Sequence, residues 1–189
     1  FGVVDEGGMA KELLVVMSDG GVRSLVGTAI TVGQESRLPV VLLYVRDGRD
    51  HPERAYRHVL EQAGRYNAQD VAVIEALYLR RAVQRGGEAA KPEAPAGVRA
   101  ALLTAAWTWA ARRGATRLVW PVSCGQDVEM VGRISEQTLL LEQMLGIDYP
   151  ALPRLVMPLL DMTDAMVVSV GAQMEAPWWS AWSCLGGEE

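Results

Sequence analysis

Cysteine and histidine, the residues that most often build disulfide frameworks and metal centres, are scarce in this chain. The sequence has two of each among 189 residues. Two cysteines do not make the framework of a disulfide-rich secreted domain, so we expect a cytoplasmic protein.

Long apolar runs and an excess of positive charge are absent as well. The longest apolar stretch, Ala100 to Ala111, is too short to span a bilayer and ends at Arg112. The net charge is −5, whereas a general nucleic-acid surface needs a basic patch. We therefore expect neither a membrane protein nor a nucleic-acid-binding protein.

Short apolar runs alternate with helical patterns along the chain, and half of the residues are hydrophobic, which fits one domain over residues 1–189. Strands are predicted at 13–17, 39–44, 70–77, 117–122 and 155–159. Helices are predicted after Ser24 and at 52–66, 79–85, 98–113, 132–145 and 163–174, with Gly114 as a C-cap. Segment 86–97 is predicted to be a mobile loop and 176–189 an aromatic tail. The alternation predicts an α/β fold, a Rossmann-like open and mostly parallel five-stranded sheet with helices on both faces.

A glycine turn follows the first predicted strand. Gly20 and Gly21 let the backbone turn sharply, and N–H groups at such a strand–helix junction attract anions. Neither G-x-x-x-x-G-K-[ST] nor G-x-G-x-x-G occurs here, and an ordinary tight turn is the alternative interpretation. Polar segments at 46–51, 123–127 and 161–164 follow other predicted strands, so they should share one edge of the sheet with the turn.

Several segments together resemble one known family. Residues 19–24, Asp-Gly-Gly-Val-Arg-Ser, resemble the S-G-G-x-D-S motif of the PP-loop ATP pyrophosphatases, which are adenine nucleotide alpha hydrolase-like proteins. Residues 158–184 resemble P-L-x-x-[LM]-T-K-x-E-[IV]-V…G…[VA]-P…T-W-S-C of 7-cyano-7-deazaguanine synthase, a family member in queuosine biosynthesis. Residues 44–51 resemble its F-D-Y-G-Q-R-H loop, and residues 94–102 its V-P-x-R-N-x-x-F-L segment. Residues 124–127 occupy the place of its N-x-x-D.

The resemblance implies a PP-loop (HUP-type) fold, a nucleotide-like ligand, ATP and magnesium as cofactors, and a homodimer. The family adenylates a carboxylate on carboxy-deazaguanine and passes it to ammonia. The implied nucleotide-binding residues are Ser18, Asp19, Gly20, Gly21, Arg23 and Ser24. The implied substrate rim consists of Asp47, His51, Cys124 and Asp127.

Several charged positions depart from the family pattern. Arg23 stands where the motif has aspartate, and Asp164 stands where the family has lysine. We hypothesise a swapped ion pair between these two residues, with independent drift as the alternative. Arg23, Asp127 and Asp164 are the candidate catalytic residues. Further departures are Asp19 for serine, Gly97 and Val98 for Arg-Asn, and Met166 for glutamate.

Only Cys184 remains of the four cysteines that form the family's zinc site, so we expect no zinc and no other metal site. The departures favour a divergent protein with a degenerate nucleotide site and without the family's standard activity. An active ATP-dependent C–N ligase or nitrile-forming enzyme is the alternative.

Other chemistry-bearing residues have simpler interpretations. Trp178, Trp179 and Trp182 could stack on a base, but such a cluster more often closes a core or a dimer contact. Cys124 could be a nucleophile, but a small buried cysteine is the favoured interpretation.

Overall fold

The computed structural model describes residues 12–35, 37–47, 52–76 and 96–182. Its centre is a five-stranded sheet in the order β3-β2-β1-β4-β5, in which every pair of neighbours is parallel. The strands are β1 (Leu14–Met17), β2 (Val40–Arg46), β3 (Asp70–Glu75), β4 (Arg117–Val119) and β5 (Arg154–Val156).

Helices connect the strands within the described ranges. They are α1 (Val22–Gln34), α2 (Pro52–Arg65), α3 (Ala96–Arg112), α4 (Val128–Asp148) and α5 (Asp164–Gln173), followed by a 3-10 turn at Trp178–Ser180. None of these helices combines the length and apolarity needed to cross a membrane.

Successive side chains of a strand point to opposite faces of the sheet, and each face has its own core. Leu14, Val16 and Leu42 pack on one face with α2 residues such as Ala55 and Val59. The other face buries Val15, Leu43 and Leu118 against α3 and α4, with Trp107 fully buried among them. The central strands therefore read as continuous apolar runs because helices cover both faces.

The predicted open parallel sheet with five strands and helices on both faces is confirmed. Two strands end earlier than predicted. The ladder between β4 and β5 stops at the pair Val119–Val156, and each strand meets a proline two residues later, Pro121 or Pro158. Because proline has no N–H group, it cannot extend a ladder.

Two helices begin earlier than predicted. α4 starts at Val128 instead of residue 132 because Asp127 caps it, accepting a hydrogen bond from the Met130 N–H at 2.9 Å. α3 starts at Ala96, so the last two residues of the predicted 86–97 loop are helical. The predicted helix at 79–85 and the rest of that loop lie outside the described residues.

The end of α3 follows the prediction. Gly114 has φ +69, and the next N–H, that of Ala115, donates to the Ala110 carbonyl at 3.0 Å. This is the hydrogen bonding of a glycine C-cap.

The tryptophan cluster closes a core, as the favoured interpretation predicts. The indole of Trp178 lies so close to Gly171 that a Cβ there would sit 2.3 Å from a ring carbon. Trp182 packs against the core on the α2 face of the sheet, whereas Trp179 is exposed.

Candidate functional site

A cleft opens at the carboxyl ends of the central strands. The chain crosses from β1 to β2 in one direction and returns to β4 on the other side of β1, so the strand order reverses between β1 and β4. Open parallel sheets bind ligands at such a reversal point. The cleft has a volume of about 280 Å³, and its walls come from the residues after β1, β2 and β4 and from the first turns of α1 and α3.

The cleft walls combine charged, hydroxyl and apolar groups. Arg23, Arg99, Asp19 and Asp47 supply the charges, and Ser18, Ser24 and Ser123 supply hydroxyls. The apolar lining residues are Met17, Leu43, Val45, Leu102, Trp120, Pro121 and Val122. Such a mixture suits a ligand with a flat apolar part and an anionic part.

The glycine turn forms one wall and fits tightly against α2. Gly20 has φ +76, and a Cβ at this position would lie 2.5 Å from the carbonyl oxygen of Ala55. The left-handed backbone and the close approach both require glycine here. The turn is therefore a built feature of the fold, packed backbone to backbone on α2.

Gln62 fastens the same turn from beneath. This side chain is fully buried on α2, and its amide nitrogen donates to the carbonyls of Gly20 at 3.2 Å and Ser180 at 2.9 Å. Its amide oxygen accepts from the Ser18 hydroxyl at 3.2 Å, and the Trp182 N–H also donates to the Gly20 carbonyl. A buried polar side chain needs such partners. Gln62 thereby ties the glycine turn to the C-terminal part of the described chain.

Sequence reasoning missed Gln62, although a signal was present. Ala55, Val59 and Ala63 mark the buried face of α2 at helical spacing, and Gln62 lies on that face. A long polar side chain on an apolar stripe indicates a buried hydrogen-bonding role.

The start of α1 carries the groups that suit an anion. Gly21 is the N-cap residue and has no side chain to cap the helix, so the first N–H groups lack an oxygen from that position. The Gly21 N–H itself accepts no solvent role, since it donates to the Asp19 carboxylate at 3.0 Å. The Ser24 hydroxyl is buried and donates to the Gly21 carbonyl at 2.9 Å. An anion at this turn would compete with Asp19 for the Gly21 N–H.

Arg23 and Asp164 form the ion pair that the swapped-charge hypothesis predicts. The Arg23 Nη2 to Asp164 Oδ1 distance is 2.9 Å, and the side chains are 49% and 79% exposed. Such an exposed pair contributes little to stability. Because the pair is exposed and joined by this one bond, most of the Arg23 guanidinium donors are available to a ligand.

Arg99 is the second cation of the cleft, and sequence reasoning did not select it. It lies in the first turn of α3, two residues after the Gly97 position where the resembled family has arginine. Its Nε is buried and has no hydrogen-bond partner among the described residues, while Nη2 lies 4.0 Å from the Met130 sulfur. A lone charge before the apolar run 100–111 was the available signal.

The remaining predicted site residues lie in different places. Asp47 is buried, at 1% exposure, and lines the cleft after β2. Asp127 is exposed, uses its carboxylate to cap α4, and is not among the residues that line the cleft. Cys124 is half-buried after β4, with its N–H donating to the Leu160 carbonyl. His51 and Cys184 lie outside the described residues.

Comparison with known proteins finds similarity only at the level of three-dimensional structure. No protein-family model matches the chain, and no curated protein matches its sequence. The U34-tRNA thiolase NcsA of Methanococcus maripaludis superposes with a TM-score of 0.58 at 9% identity, covering 94% of this chain and 61% of that one. The NMN synthetase of Francisella tularensis gives 0.54 at 14% identity, covering 89% and 63%.

A third structure, the NH3-dependent NAD synthetase of Campylobacter jejuni, gives a TM-score of 0.56 at 10% identity and covers 91% of this chain and 68% of that one. The chain thus spans about three fifths of the length of the thiolase and of the NMN synthetase. At these identities the likeness concerns the fold. The chain has the open, five-stranded parallel α/β fold of the PP-loop type.

Proposed function

We propose that this chain is a divergent PP-loop family protein that binds an adenine nucleotide in the cleft between β1 and β4. In its motifs it resembles 7-cyano-7-deazaguanine synthase, but it does not carry out that enzyme's standard reaction. The observation that carries the proposal is the cleft at the strand-order reversal, which the glycine turn and two arginines line.

The lining residues support a nucleotide as the ligand. Leu43, Leu102 and Trp120 offer apolar surface for a base, and Arg23 and Arg99 offer charge-assisted hydrogen bonds to phosphate. The N-terminus of α1 adds a favourable partial charge for an anion at the same wall.

Two contacts support loss of the standard reaction. The Asp19 carboxylate occupies the Gly21 N–H, a donor that a bound phosphate would need. The Arg23–Asp164 pair reverses both charges of the resembled motifs. A site that activates a carboxylate needs its charges placed for the transition state, so reversing them removes that placement.

Calorimetric titration with ATP tests the proposal. We expect measurable binding by the wild-type chain and at least about ten-fold weaker binding by Arg99→Met, because a hydrogen bond between charged groups is worth roughly 1.5–3 kcal/mol. The matched control is Arg112→Met, the same substitution at an exposed position in the last turn of α3. Absence of ATP binding, or equal loss in both variants, would refute a nucleotide site in this cleft.

An active ATP-dependent ligase is the second candidate. The shared fold with an NH3-dependent NAD synthetase favours it, because that protein is named for joining ammonia to its substrate. Pyrophosphate release in the presence of ATP, ammonia and a carboxy-deazapurine would establish this activity. ATP binding without pyrophosphate release leaves the first candidate. The homodimer and the cytoplasmic location expected from the sequence remain part of the proposal in either case.

A further inference from the structure

The PP-loop resemblance implies magnesium with the nucleotide, and the cleft's donor set tests that implication. Mg²⁺ is usually held by one or two carboxylates together with the phosphates of the ligand. Asp19, the carboxylate at the turn, accepts the Gly21 N–H, and Asp164 accepts Arg23. Asp47 is buried and already has an interaction partner.

Cations occupy the positions at which a metal ion would act. Arg23 stands at the motif's aspartate position, and Arg99 faces the same cleft from α3. An arginine is positively charged at all physiological pH values and cannot be a metal ligand. In the part of the chain that the structure describes, no group of three or more metal-binding side chains occurs. The residues of the cleft therefore do not fit a magnesium ion beside the phosphates.

We propose that this cleft binds nucleotide phosphates through Arg23 and Arg99 without magnesium, so that metal-free ATP is its preferred form of the ligand. The inference rests on the proposed nucleotide site and specifies how that site works. Both guanidinium groups have unused donors, since one bond joins Arg23 to Asp164 and the Arg99 Nε has no partner among the described residues.

Magnesium should act as a competitor of these arginines. A metal ion bound to the phosphates neutralises part of their charge and occupies the oxygens that guanidinium groups would contact. In a site of the usual PP-loop kind, by contrast, the metal joins the phosphates to a carboxylate and strengthens binding. The sign of the magnesium effect thus separates the two arrangements.

The experiment is a pair of calorimetric titrations of the full chain with ATP, one in EDTA and one in excess magnesium chloride at equal ionic strength. We expect the dissociation constant in EDTA to be equal to, or up to about ten-fold lower than, the value in magnesium. Binding that tightens about ten-fold or more with magnesium would overturn this inference and leave the proposed nucleotide site intact. Absence of binding in both buffers would overturn both proposals.

A charge-exchanged variant gives a second, independent arm. Arg23→Asp combined with Asp164→Lys keeps an ion pair between α1 and α5 but places a carboxylate at the turn. We expect its ATP affinity in EDTA to fall at least about ten-fold and to recover when magnesium is added. Retention of metal-free binding by this variant would refute a phosphate-binding role for Arg23.

The control for this arm is Arg133→Met. Arg133 forms an exposed pair with Glu129 on α4, as Arg23 does with Asp164, but it is not among the residues that line the cleft. We expect its ATP affinity to match the wild type in both buffers. Circular dichroism of each variant separates loss of binding from loss of folding.

Discussion

Replacing Gly20 with alanine tests whether the glycine turn is as tightly built as the structure shows. At φ +76 an alanine pays a left-handed backbone cost of roughly 1–2 kcal/mol. Its Cβ would also lie 2.5 Å from the Ala55 carbonyl oxygen and 3.2 Å from the His58 Cβ. Since the nearest atom is backbone, α2 or the turn must shift, at a further cost of about 1–3 kcal/mol.

Gly114→Ala is the matched control. Gly114 has almost the same φ, +69, but no atom lies within 4 Å of a Cβ built there. We therefore expect Gly114→Ala to lose only the backbone part, about 1–2 kcal/mol, and Gly20→Ala to lose about 2–5 kcal/mol in total. Gly20→Ala should also weaken ATP binding, whereas Gly114→Ala should leave it unchanged.

Urea unfolding of both variants measures these losses, with thermal unfolding as a second assay. For a chain of this size each kcal/mol corresponds to about 2–4 °C in the melting temperature. Equal losses in the two variants would refute the close approach of the turn to α2. A larger loss in Gly20→Ala with unchanged ATP binding would refute the role of the turn in the nucleotide site.

Two further substitutions test individual contacts. Asp127→Ala should destabilise the fold by about 0.5–2 kcal/mol because α4 loses its N-cap, and it should leave ATP affinity unchanged. A ten-fold loss of affinity in that variant would return Asp127 to the binding site. Tyr66→Phe should raise the free energy of unfolding by about 1 kcal/mol at pH 7, because the Tyr66 hydroxyl is buried without a hydrogen-bond partner among the described residues. Burial also raises the pKa of Tyr66 above its ordinary value of 10.0, so the folded state holds its proton longer than the unfolded chain and wild-type stability falls as pH rises above 10; a pH titration of stability in which Tyr66→Phe shows the same fall would contradict this.

Local patterns were enough to predict the fold. The apolar runs around Val15 and Val41 mark buried parallel strands, and the alternation with helices leaves few topologies. Element ends were harder to predict from periodicity alone. The start of α4 depends on one hydrogen bond from Asp127, and β4 ends where its partner β5 ends.

The sequence alone determined the open parallel sheet, the position of the glycine turn at its edge, and the charge exchange between Arg23 and Asp164, because these follow from composition, order and motif comparison. Only the tertiary structure decided that those two residues touch, that Gln62 holds the turn, and that Arg99 faces the same cleft. Each of these contacts joins elements far apart in sequence, and their distances depend on how the helices pack on the sheet. No local pattern encodes that packing.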